Sequence, residues 1–148
     1  GVLLVTSGTG LSTRAVFESR TALDGSDDRG QRGKDAALVA RDLAASLDAG
    51  CTASDMVAMA RRLRDANDLW PATIRLRPDL VELRMALEAR LDRPLLLSGS
   101  GPTLLALYPS KAAADAAATV LRSDLASAVP DAAFRSASFE RTEMREPR

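Results

Sequence analysis

The segment SGSGPTLLALYPS, Ser98 to Ser110, decides how this chain is read. Gly99 and Gly101 stand between two apolar runs, Leu95 to Leu97 before them and Leu104 to Tyr108 after. Small residues at such a junction let the backbone turn sharply, and let amide groups meet a ligand with no Cβ in the way. The same pattern also serves an ordinary hairpin turn. Leu95 to Leu97 and Thr103 to Leu107 are read as the two strands that flank it.

Working outward, Ser110 is placed to cap an alanine-rich helix over Lys111–Leu125, with Val120, Leu121 and Leu125 facing inward. A closing strand follows at Ala133–Phe139, then a charged tail. On the other side, Pro78 opens a helix through about Leu91, with Leu80, Leu83, Leu87 and Leu91 on one stripe. Asn67-Asp68-Leu69-Trp70-Pro71 breaks the chain and starts a new helix. Thr52 and Asp55 have the spacing of a capping box, predicting a helix through about Leu63. Ala37, Leu38, Leu43, Ala44 and Leu47 predict a helix over Lys34–Leu47, stopped at Gly50. Thr21–Gly33 is polar, glycine-bearing and read as a loop. Ser12 or Thr13 caps a short helix to about Arg20, with Val16 and Phe17 on its apolar side. Val2–Thr6 is the first strand. The order matches an elaborated βαββαβ pattern: an α+β, ferredoxin-like sandwich with extra helices and a four-stranded antiparallel sheet.

The chain has 148 residues, enough for one domain over 1–148 with its own core. Acidic and basic residues both number 20, so no basic excess exists to grip nucleic acid or an anionic membrane. Histidine is absent, which removes the commonest general base and metal ligand. Cys51 is the single cysteine, so neither an internal disulfide nor a thiolate metal cage is expected, and a reducing, cytoplasmic compartment is. No apolar run approaches the ~20 residues of a membrane span. VLLV at Val2–Val5 begins a strand with no leader, and the chain is expected to begin inside a larger protein. Asp27 and Asp28 are adjacent acids in a polar stretch, a weak metal signal on which no site is placed.

Three segments carry a family resemblance. LSTRAVF (Leu11–Phe17) resembles an ST-x-x-V-F signature, NDLWPA (Asn67–Ala72) an N-D-L-x-P-A helix, and SGSGPTLLALY the glycine motif that closes the GHMP kinase pattern. The chain thus resembles the C-terminal domain of the GHMP kinases (galactokinase, homoserine, mevalonate and phosphomevalonate kinases). Within them it is most similar to the branch that phosphorylates 4-diphosphocytidyl-2-C-methyl-D-erythritol in non-mevalonate isoprenoid synthesis. The family's N-terminal ATP-binding domain, with its P-x-x-x-G-L-G-G-G-S-S loop and its catalytic lysine and aspartate, has no counterpart in this sequence.

The resemblance implies the following roles. Ser98, Gly99, Ser100 and Gly101 form a phosphate loop in which the amides of Gly99, Ser100 and Gly101 approach a transferring phosphoryl group. Phe17 stacks on the cytosine of the substrate, and Thr13 lines the same pocket. On helical spacing alone Phe17 reads as a core residue. Asn67 and Asp68 read as helix caps or as support for the domain interface, Trp70 as packing. No catalytic residue is expected in this chain, because the base and the main ATP cradle belong to the N-terminal domain. ATP and Mg²⁺ are the implied cofactors, held mainly by that domain. The implied partners are the cytidyl substrate and the N-terminal domain, and an apolar face left without that domain leaves room for a homodimer. The isolated chain is expected to fold without catalysing. A Gly101→Val change is expected to spare the fold and cripple turnover. Two alternatives remain: another GHMP kinase of homoserine or mevalonate type, and a stand-alone ferredoxin-like module that binds a small ligand or a partner.

Overall fold

β1, Val2–Ser7, is a run of valine, leucine and threonine that suits a pleated, buried strand, and it lies inside the sheet rather than at its edge. The computed structural model describes residues 1–23, 29–125 and 132–138. After β1 come α1 (Thr13–Leu23), α2 (Arg29–Asp48), α3 (Ala53–Arg64), α4 (Trp70–Leu76) and α5 (Asp79–Leu91). β2 (Leu96–Leu97), β3 (Leu104–Leu107), α6 (Lys111–Leu125) and β4 (Ala132–Ala137) complete the described chain. The strands stand in the order β2-β3-β1-β4, with every neighbouring pair antiparallel. This is the expected ferredoxin-like arrangement, with the extra helices inserted between the first strand and the second.

The register explains the core. Leu3 pairs with Ala106 and Ser136, and Val5 with Leu104 and Phe134. Alternation along each strand puts Leu3, Val5, Leu104, Ala106 and Phe134 on one buried face. α6 covers it with Ala114, Ala118 and Leu121, one helical stripe, and Leu87 of α5 joins the same cluster. A smaller cluster joins Val16 of α1 to Leu69 and Ala72 at the start of α4.

Several boundaries and faces differ from the sequence reading. α1 runs three residues beyond Arg20, and α2 begins at Arg29. Most of the expected loop over Thr21–Gly33 is therefore helical; residues 24–28, with Asp27 and Asp28, lie outside the described residues, as do Phe139 and the tail. α2 does not bury its apolar positions: Leu38 is 46% and Leu47 54% exposed. Its spacing is helical, and among the described residues α3 is the element packed against it. On α6 Leu121 faces inward as expected and Val120 is on the exposed side, while the side chain of Leu125 lies outside the described residues. The alanines at 114 and 118 set the contact face, because they let the helix sit close to the sheet. The capping box of α3 is present: Asp55 N–H donates to Thr52 Oγ1 at 3.2 Å, and Thr52 N–H to Asp55 Oδ2 at 2.8 Å. Ser110 caps α6 through Ala113 N–H, and Ser12 caps α1 through Ala15 N–H.

Candidate functional site

The bend between β2 and β3 is built by its glycines. Gly99 has φ 56° and Gly101 φ 75°, both left-handed conformations that glycine adopts at little cost. Inside the bend, Ser98 N–H donates to Thr103 O and Gly101 N–H to Ser98 O, each at 2.9 Å. α4 and the residues before it hold the bend from below. Asn67 Nδ2 donates to Leu97 O at 3.0 Å and to Gly99 O at 2.8 Å. Thr73, fully buried, donates its hydroxyl to Ser100 O at 3.2 Å.

These bonds divide the loop by polarity. The four successive carbonyls from Leu97 to Ser100 are each engaged inside the protein. Among the described residues, the N–H groups of Gly99 and Ser100 meet no acceptor. Gly101, expected to offer its amide too, spends it within the turn. The loop backbone thus offers two adjacent donors, a pattern that suits an oxyanion.

α1 abuts the same loop. Thr13, its first residue, shares a 3.0 Å hydroxyl–hydroxyl bond with Ser100. The N-terminal end of a helix favours negative charge. Phe17 lies one turn further along the face that carries Thr13 and is 47% exposed. It is not the core residue that spacing indicated; its neighbour Val16 takes that place. The sequence could not separate two adjacent apolar residues without the position of α4.

Neither Asn67 nor Asp68 caps α4 as expected, because its N-cap position is Leu69 with no side-chain hydrogen bond, and the two divide other work. Asn67 Oδ1 accepts Leu69 N–H at 3.0 Å, an Asx-type turn into α4, while its amide clamps the loop. Asp68 pairs with Arg20 and joins the end of α1 to the start of α4. Trp70 packs against the core, and Arg84 stacks over its ring at 4.4 Å. Cys51 is half-buried, and its thiol donates to Thr52 O.

Sequence reasoning passed over Thr73 and Arg77. Thr73 is a hydroxyl at a buried helical position, a place where a partner is required, and that was the available signal. Arg77 donates to Thr9 O at 2.8 Å and to Ser7 Oγ at 3.1 Å, fixing the turn that leads into α1. Its hydrogen bonds to Asp79 raise the guanidinium and hold the Asp79 carboxyl below its usual range.

A second concavity, about 410 Å³, is lined by Arg61, Arg64, Asp65, Glu88, Asp92 and Arg93. Much of its charge is tied into the fold. Glu88 accepts two bonds from Arg64, at 2.6 and 2.8 Å, and Leu95 N–H at 2.8 Å. Burial works to raise the Glu88 carboxyl, but these bonds hold it below the ordinary range. Arg84, only 2% exposed, completes the network and is lowered by burial and by the charge of Arg64. Among the described residues no group of three or more carboxylates and thiols is placed to hold a metal ion, and no helix is long and apolar enough to cross a membrane.

The family described as GHMP kinases C terminal matches residues 36–127, well over half the chain. The chain belongs to the GHMP kinase C-terminal family. The match takes in NDLWPA and the glycine loop, and stops short of α1 with Thr13 and Phe17. No curated protein and no solved structure matches the chain. GHMP kinases are small-molecule kinases, so this domain comes from a family of phosphotransferases that generally use ATP and Mg²⁺.

Proposed function

We propose that this GHMP domain is the substrate-side lobe of a kinase acting on 4-diphosphocytidyl-2-C-methyl-D-erythritol. In that reaction the substrate 2-hydroxyl oxygen attacks the γ-phosphorus of ATP, the bond to the β-phosphate oxygen breaks, and ADP leaves. The hydroxyl proton passes to a base in the N-terminal domain, this lobe's partner. Such transfer depends on positioning and charge neutralisation more than on covalent chemistry.

The observation that carries the reading is the junction of Thr13 with Ser100. It sets two unengaged amides beside a helix face that displays an exposed phenylalanine. An oxyanion on Gly99 and Ser100, with a flat base against Phe17, fits a nucleotide-bearing substrate. The donor set between Leu97 and Ser100 does not suit a cation, so Mg²⁺ and most of the ATP cradle are assigned to the N-terminal domain. The isolated chain then folds and binds weakly but does not turn over.

Calorimetric titration with cytidine and adenosine diphosphates tests this. Cytidine diphosphate should bind more tightly, and Phe17→Ala should weaken it by about tenfold or more, in line with ~1–3 kcal/mol for a base stacked on an aromatic ring. Equal affinity for both nucleotides, unchanged in Phe17→Ala, would contradict the cytidyl assignment. A second reading, a GHMP kinase for another small alcohol, is equally in keeping with the family match over residues 36–127. It predicts binding of an anionic substrate with no preference for cytosine.

A further inference from the structure

We infer that Asn67 and Thr73 are positioning residues that set the polarity of the glycine loop, making it a seat for a phosphoryl-type oxyanion. The inference rests on reading this loop as the ligand loop, and it assigns the device that makes it one. A flexible six-residue bend would present carbonyls and amides about equally, and carbonyl oxygens repel an anion. Here the side-chain amide of Asn67 draws in Leu97 O and Gly99 O, and the Thr73 hydroxyl draws in Ser100 O. Ser98 O is taken by Gly101 N–H. A peptide unit that turns its carbonyl inward turns its N–H outward. Fixing Gly99 O therefore fixes the Ser100 N–H, while Thr73, by fixing Ser100 O, aims the Gly101 N–H at Ser98 O and so fixes the Gly99 N–H.

Neither side chain needs to touch the ligand. Thr73 is fully buried, and Asn67 spends both ends of its amide on the protein, on the loop carbonyls and on Leu69 N–H. Because Asn67 lies just before α4 and Thr73 within it, and this segment packs against α1 through Val16, Leu69 and Ala72, the loop and the Thr13 hydroxyl are held in one register.

The probe is inorganic pyrophosphate, followed on the Gly99 and Ser100 amide signals by ¹⁵N NMR of the chain. The unaltered chain should show a saturable shift at both amides. Asn67→Asp keeps the acceptor for Leu69 N–H but sets a carboxylate against two carbonyls. Thr73→Val removes only the hydroxyl. Each should weaken pyrophosphate by about tenfold while the remaining spectrum stays folded, the size expected for one or two lost hydrogen bonds. Thr73→Ser should restore it. If Asn67→Asp does not fold, the Thr73→Val and Thr73→Ser pair decides alone. Unchanged affinity in folded Thr73→Val would overturn the positioning role and leave the ligand loop standing. No shift at Gly99 and Ser100 in the unaltered chain would overturn the ligand loop itself, and the positioning role with it.

Discussion

Phe17 keeps 47% of its surface in solvent while Val16 beside it is fully buried. A ring in that setting adds less to folding than a fully buried one, because nearly half of its area stays in water. Phe17→Ala should therefore cost about 1 kcal/mol of unfolding free energy, roughly half the transfer value of a fully buried phenylalanine, in urea unfolding. The proposed function predicts that, in a kinase carrying this lobe, the change raises KM for the cytidyl substrate and leaves KM for ATP unchanged; an equal rise in both would point to damage to the fold. The two loop glycines respond differently. A Cβ at Gly99 meets open space, so Gly99→Ala carries only the left-handed backbone cost, roughly 1–2 kcal/mol. A Cβ at Gly101 would lie 2.8 Å from Leu97 Cδ1 and 3.3 Å from Thr73 Cγ2. Gly101→Val thus disturbs the packing that carries the clamp, adding about 1–3 kcal/mol of overpacking, and it is not the silent probe that the sequence indicated. Urea unfolding of the two variants should place Gly101→Val well below Gly99→Ala.

Elements were legible where sequence signals were local. The capping box at Thr52 and Asp55, the cap at Ser110 and the leucine stripe of α5 need only neighbours three or four residues away, and each appears in the structure. The face of α6 was misread because hydrophobicity alone does not say which side meets the sheet. On α6 the deciding residues are alanines. Leu121→Ala should cost ~2–5 kcal/mol as a buried truncation, and Val120→Ala close to nothing, in chemical unfolding. Ion pairs between elements were invisible for a related reason: Arg64 of α3 and Glu88 of α5 are distant in sequence and meet only after folding. Glu88 sits below 4.5, the ordinary glutamate value, when folded. Its pairing therefore contributes stability that is present above that value and lost as pH falls through the lower, folded one. Glu88→Gln should lower Tm at neutral pH and make the loss of Tm below about pH 4.5 shallower than in the unaltered chain. Parallel Tm curves in acid would contradict this role.

For the whole molecule, the sheet order β2-β3-β1-β4 brings the β2–β3 bend, the start of α1 and the start of α4 together at one end. Ser98 to Gly101, Thr13 and Asn67 were singled out from motifs far apart in the chain, and the fold joins them through hydrogen bonds. What the sequence could not supply was the polarity of that end: which loop groups are spent inside and which are left for a ligand. That depends on Thr73 and on both ends of the Asn67 amide, and neither follows from spacing. The proposed activity requires this one end of the molecule to receive base and phosphate together. The direct measurement is an NMR titration of the chain with cytidine diphosphate, following the Phe17 ring protons and the Gly99 and Ser100 amides in the same spectra. The proposed function predicts that all three move along a single binding curve, with contacts between the Phe17 ring and the cytosine protons. Movement confined to the Arg61–Arg93 cleft, or none at α1 and the glycine loop, would contradict it.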